Sequence, residues 1–125
     1  MIRLLIADDH QMILKRIRQI LAEEPDMEIC FEATDGNDVL EILRNQKIDL
    51  VILDINMPGV SGLETLKSIR TSHPGLPVLM LTALSEEMYH AKALKAGASG
   101  FISKESAREE LASVIRDIME KQSRS

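Results

Sequence analysis

The stretch Leu50–Gly62 reads LVILDINMPGVSG, and its two halves obey different rules. Leu50 to Leu53 form a continuous apolar run, the pattern of a strand covered on both faces of a parallel sheet. The run ends on Asp54, after which Met57-Pro58-Gly59 and Ser61-Gly62 break the chain into a turn. A carboxylate at the inner end of an apolar strand is costly to desolvate unless something nearby needs its charge. The stretch therefore asks what Asp54 faces.

Outward from it, the pattern repeats. Leu4 to Ala7 and Val78 to Leu81 are further continuous apolar runs, and Phe101-Ile102 is a shorter one. Glu28 to Ala33 interleaves acids with apolar residues, as an edge strand with one wetter face would. Between these runs the apolar spacing turns helical: Ile13, Leu14, Ile17, Ile20 and Leu21 form one stripe, Leu63, Leu66 and Ile69 another, and Leu111, Val114, Ile115 and Ile118 the last. Pro25 follows the first helix, Asp35-Gly36 precedes the second, Pro74-Gly75 follow the third, and Gly97 ends a fourth, whose segment Ser85 to Ala96 has the weakest stripe. Strands alternating with helices at this rhythm predict an α/β domain with a parallel sheet and helices on both faces. No repeat or linker interrupts it, and only Glu120 to Ser125 reads as a polar tail.

At 125 residues the chain fits one domain, residues 1–125, able to bury roughly two-thirds of its unfolded surface. A net charge of -5 and an aromatic set of only Phe31, Tyr89 and Phe101 make this segment a poor nucleic-acid binder by itself. Cys30 is the single cysteine, which excludes an internal disulfide and agrees with a reducing compartment. The apolar run at the start is too short for a signal peptide or a membrane span, so a cytoplasmic protein without membrane partners is expected.

The polar residues that follow the apolar runs collect chemistry. Asp8 and Asp9 come after the first, Asp54 ends the third, Thr82 follows the fourth and Lys104 the fifth. In a parallel sheet these strand ends share one edge, the edge at which open α/β sheets bind ligands. Two unit charges about 4 Å apart repel by on the order of 4 kcal/mol at an effective dielectric near 20, so a cation belongs among the three acids. An oxygen-only set suits a hard ion such as Mg²⁺, which keeps waters and leaves room for a phosphate oxygen. The Lys104 ammonium and the Thr82 hydroxyl are suited to hold phosphoryl oxygens, and Asp54 to accept a phosphoryl group. Taken singly these residues have plainer readings. Asp54, Asp8 or Asp9 could cap a helix, Thr82 could end a strand, Phe101 could be core, Lys104 a solvated charge and His10 a solvent-facing neighbour of the acids.

In this order, Asp8-Asp9, LDINMPGVSG around Asp54, Thr82-Ala83 after VLML and Gly100-Phe101-Ile102-Ser103-Lys104 resemble the receiver domain of two-component response regulators over essentially the whole chain. ADDH and MPGVSGLE are most similar to the NarL/FixJ subfamily, whose members usually carry a C-terminal helix-turn-helix. No such domain lies within these residues, and one is expected if the gene continues. The resemblance implies a flavodoxin-like (βα)5 fold with sheet order 2-1-3-4-5. It implies a phosphoryl group passed to Asp54 from a sensor histidine kinase, and Mg²⁺ held by Asp9, Asp54 and the backbone carbonyl of Asn56, with Asp8 holding a metal-bound water. Thr82 and Lys104 would bind phosphoryl oxygens, Phe101 would be the switch aromatic, Pro58 and Gly62 would shape the loop, and a homodimer on phosphorylation is a further implied partner. Many receivers have proline after the lysine, joined by a cis peptide; this chain has Glu105, where a cis bond would cost about 2.5 to 4 kcal/mol, so trans is expected and the presentation of Lys104 could differ.

Three alternatives differ in kind. A Mg²⁺-dependent phosphatase of the haloacid-dehalogenase type would need an acid two residues after its nucleophile, where this chain has Asn56. A phosphorylation-independent interaction module would share the fold but ignore phosphoryl donors. Flavin binding would need a Ser/Thr-rich phosphate loop after the first strand, which is absent.

Overall fold

Five apolar segments become five parallel strands, and the computed structural model describes them within residues 1–83 and 88–124. In chain order the elements are β1 (Ile2–Ala7), α1 (Gln11–Ala22), β2 (Met27–Ala33), α2 (Gly36–Asn45), β3 (Leu50–Asp54), α3 (Gly62–Ser72), β4 (Val78–Thr82), α4 (His90–Lys95), β5 (Gly100–Ser103) and α5 (Ala107–Arg124). The sheet order is β2-β1-β3-β4-β5, the flavodoxin-like arrangement. Part of the segment Ser85 to Ala96 lies outside the described residues, so its weak stripe is testable only from Met88 onward.

The continuous apolar runs are central strands because both their faces are covered. Every residue of β3 and β4 is buried. Leu4, Ile6, Leu50, Ile52, Leu79 and Leu81 face one core with Leu14, Ile17, Leu21, Leu111 and Ile115 of α1 and α5. Leu5, Val51, Leu53, Val78 and Met80 face the other, with Val39 of α2, Leu66 and Ile69 of α3 and Ala93 of α4. The mixed strand β2 is an edge, with Glu28 and Glu32 exposed.

Local signals place the helix starts. Asp35 caps α2 by accepting the Asp38 amide at 2.9 Å, and Ser61 caps α3 by accepting that of Glu64 at 3.2 Å. Neither Asp8 nor Asp9 caps α1, whose N-cap is His10 without a side-chain cap bond. The polar tail is a second departure. α5 runs on through Arg124, and the Gln122 amide donates to the Gly75 carbonyl. Glu, Lys and Gln are good helix formers, and this anchor on the loop before β4 keeps the last turns wound.

Candidate functional site

Register delivers the acids to one edge. Ala7 pairs with Leu53 and Asp54 with Leu81, so Asp8 emerges beside Asp54 where both strands end. Thr82 pairs with Ser103, which sets Lys104 one residue past the same edge. The loop after β3 stays tight because α3 starts almost in contact with it. A Cβ on Gly62 would lie 2.0 Å from the Asp54 carbonyl oxygen, which explains glycine there, and Gly59 takes a positive φ of 72°.

Asp8 and Asp54 are fully buried. Lys104 crosses above β4 to reach both: its Nζ lies 3.2 Å from Asp8 Oδ2 and 3.3 Å from Asp54 Oδ2. No cis peptide occurs among the described residues. In place of a proline turn, a single 3-10 turn over Lys104–Ser106 presents the lysine, with Ser103 Oγ accepting the Ser106 amide at 3.1 Å. The Asn56 amide donates to Asp54 Oδ1 at 3.2 Å, and its own side chain is exposed.

The charges do not balance within the group. Burial, and next the charge on Asp8, push the Asp54 carboxyl up to about 7, against the pull of the Asn56 amide and Lys104. Burial works against the Lys104 ammonium as well, but Asp54 and Asp8 outweigh it and raise its pKa. Asp8 Oδ2, Asp9 Oδ1 and Asp54 Oδ2 are buried oxygens without a hydrogen bond, the first and last facing the Lys104 ammonium. Three such oxygens from three residues fit a hard divalent ion.

The set is not oxygen-only, contrary to the sequence reading. His10, although 58% exposed, turns its ring inward, with Nδ1 2.9 Å from Asp8 Oδ1, 3.3 Å from Asp9 Oδ1 and 3.9 Å from Asp54 Oδ2. Its four-residue group with Asp8, Asp9 and Asp54 brings one donor atom from each within 4.8 Å of the others. The hydrogen bond to Asp8, and next the Asp9 charge, raise its pKa. The extended backbone of His10, φ -94° and ψ 107°, together with its amide bond to Asp8 Oδ1, folds the ring back over the acids.

Thr82 and Phe101 stand on the α4 side of this edge. The Thr82 hydroxyl is buried and lies 3.3 Å from His90 Nε2, and the His90 ring stacks on Phe101 with centroids 4.3 Å apart. Phe101 thus both packs against the core and borders the site. His90 was not singled out by the sequence, because a lone histidine in a weakly patterned helix carries no signal until the sheet order is known.

A buried acid cluster with one reaching lysine, at the carboxyl edge of a 2-1-3-4-5 sheet, defines a class. Residues 4–116 match the family described as the response regulator receiver domain, and the chain belongs to that family. Within it the chain goes with the NarL/FixJ type. It is 36% identical over 118 residues to the response regulator UvrY of Escherichia coli K12, covering 94% of this chain and 54% of that protein. It is 37% identical over 119 residues to the transcriptional regulatory protein DesR of Bacillus subtilis, covering 95% of this chain and 59% of that one. A LuxR-family two-component response regulator from Aurantimonas superposes with a TM-score of 0.89 at 28% identity, over 95% of this chain and 85% of the other. The chain spans just over half the length of these two curated relatives.

Proposed function

We propose that this domain is a phosphorylation-controlled switch with Asp54 as its phosphoacceptor. An Asp54 carboxylate oxygen attacks the phosphorus of a phosphohistidine on a sensor kinase; the new O–P bond forms as the P–N bond breaks, and the imidazole leaves. Lys104 and Thr82 hold the phosphoryl oxygens. Asp9, Asp54 and the Asn56 carbonyl would hold Mg²⁺, with Asp8 placed to hold a water on it, and the bound ion would neutralise the crowded oxygens. The observation that carries this reading is the lysine shared by two fully buried carboxylates whose outer oxygens lack hydrogen bonds. A merely structural ion pair would match its charges, whereas here the acids outnumber the lysine that they share.

The output is a change of face rather than turnover. Roughly two negative charges added at Asp54 draw Thr82 inward and let Phe101 follow, repacking the α4 and β5 surface. Leu94 (57% exposed) and Tyr89 on that surface suit a contact that forms on activation, including a homodimer. By likeness to regulators such as DesR, we assign the full-length protein to transcription control through a DNA-binding domain, with the cytoplasm as its setting. Among the described residues no helix is long and apolar enough to cross a membrane.

Acetyl phosphate with Mg²⁺ tests the proposal. One phosphoryl equivalent is expected on the wild type and none on Asp54→Asn. Incorporation by the variant would put the acceptor elsewhere, and steady release of phosphate from small phosphate esters would make the protein a phosphatase.

A further inference from the structure

We propose that His90 is a positioning residue of the switch: it holds the Thr82 hydroxyl and the face of Phe101 on the α4 side, and gives up the hydroxyl when Asp54 is phosphorylated. The inference rests on the phosphoacceptor reading of Asp54 and adds to it the residue that sets how readily the switch moves.

One ring joins three elements. His90 is the first residue of α4, its Nε2 lies 3.3 Å from Thr82 Oγ1 at the end of β4, and its plane is stacked at 11° on Phe101 of β5. Strand alternation explains why Thr82 is available to it. Thr82 continues the Val78 and Met80 face toward α3 and α4, whereas Asp54 continues the Leu50 and Ile52 face toward α1 and α5. The hydroxyl thus stands at one edge between a ring on one side and the acids on the other.

Burial makes this a two-position device. Thr82 is 1% exposed, so water offers its hydroxyl little, and leaving His90 without a new partner would strand a buried polar group. Release therefore requires another polar partner, such as a phosphoryl oxygen. The stack adds a second restraint, because Phe101 cannot slide toward the space Thr82 vacates while its face is covered by the imidazole. Removing the nitrogen while keeping a ring should ease the first restraint and spare the second.

Beryllofluoride, a phosphoryl mimic, titrated with Mg²⁺ into the wild type, His90→Phe and His90→Ala separates these effects. The readouts are the NMR methyl signal of Thr82, the ring signals of Phe101 and an amide signal next to Asp54, with melting followed in parallel. In His90→Phe the half-saturating concentration should fall by about three- to tenfold, the scale of one net hydrogen bond, while Phe101 stays in its unliganded position before the mimic is added. In His90→Ala the Phe101 signals should already be averaged without it. Wild-type half-saturation together with wild-type Thr82 shifts in His90→Phe would overturn the proposal, whether or not His90→Ala folds. If the amide beside Asp54 responds equally in all three proteins, only the role of His90 falls; if it responds in none, the phosphoacceptor reading falls and takes this one with it.

Discussion

Lys104 and Arg116 each bridge two carboxylates, yet they do so in opposite surroundings. Arg116 on α5 holds Asp26, just ahead of β2, through Nε at 3.0 Å and Nη2 at 2.9 Å, and pairs with Glu24 as well. All three side chains reach water, Arg116 at 43%, Asp26 at 46% and Glu24 at 26% exposed. The pairing lowers the pKa of Asp26, with the Arg116 hydrogen bond as the main cause, and raises that of Arg116. Lys104 is 13% exposed and its two partners are fully buried. At the exposed cluster water and salt absorb any imbalance, so the geometry can be well paired and still contribute little. At the buried one water cannot absorb it, and the excess negative charge is met by holding a proton on Asp54 or by drawing in a cation.

The sharpest way to break the contrast is to remove each bridging cation. Lys104→Met should destabilise the metal-free domain by about 3 kcal/mol at pH 8, because it leaves two buried carboxylates uncompensated, and by much less at pH 5, where Asp54 can stay protonated. Urea unfolding at both pH values in the presence of a chelator measures this, and equal losses would show that charge is not the cause.

Asp54→Asn acts on the same imbalance with the opposite sign. A carboxyl whose folded pKa is about 7, against an ordinary 3.8, binds its proton more tightly when folded. Its contribution to stability is therefore present below pH 4 and declines as pH rises toward 7. Without metal, the asparagine variant should be more stable than the wild type at pH 8 by on the order of 2 kcal/mol, and no more stable at pH 4. Denaturation midpoints across that range check the sign.

Asp9, 32% exposed at its side chain, is less committed to the fold than Asp8. Asp9→Asn should weaken Mg²⁺ binding by tenfold or more while altering stability by less than about 1 kcal/mol. Calorimetric titration with Mg²⁺, with unfolding measured alongside, tests both halves. Arg116→Ala is expected to have the smallest effect, a slight loss of midpoint that disappears at high salt. A loss comparable with that of Lys104→Met would erase the comparison.

Much of this was legible in the chain because its causes are local. Leu50 to Leu53 could be read as a buried strand from four consecutive apolar residues and Asp35-Gly36 as the punctuation before a helix, whereas Ser61, read as part of a turn, proved to cap α3. The convergence of Asp8, Asp54 and Lys104 followed from a parallel sheet, which aligns strand ends whatever their separation in sequence. His10 was judged by its neighbours alone as a solvent-facing residue. Its ring is half in water, but the turn into α1 brings Nδ1 onto the acids. The tail from Glu120 lacked an apolar stripe, so its helical state depended on the preceding turns of α5 and on the Gln122 contact with Gly75.

Sequence by itself determined which apolar runs are strands and that the acids and the lysine after them share one edge, since periodicity acts on near neighbours and a parallel sheet aligns strand ends. Only the tertiary structure decided that His90 reaches Thr82 and Phe101, that the lysine turn works without proline, and that His10 joins the acid group. Those contacts depend on where a crossover helix lands and how a turn is wound, and side chains from different elements meet there with no periodic pattern to announce them.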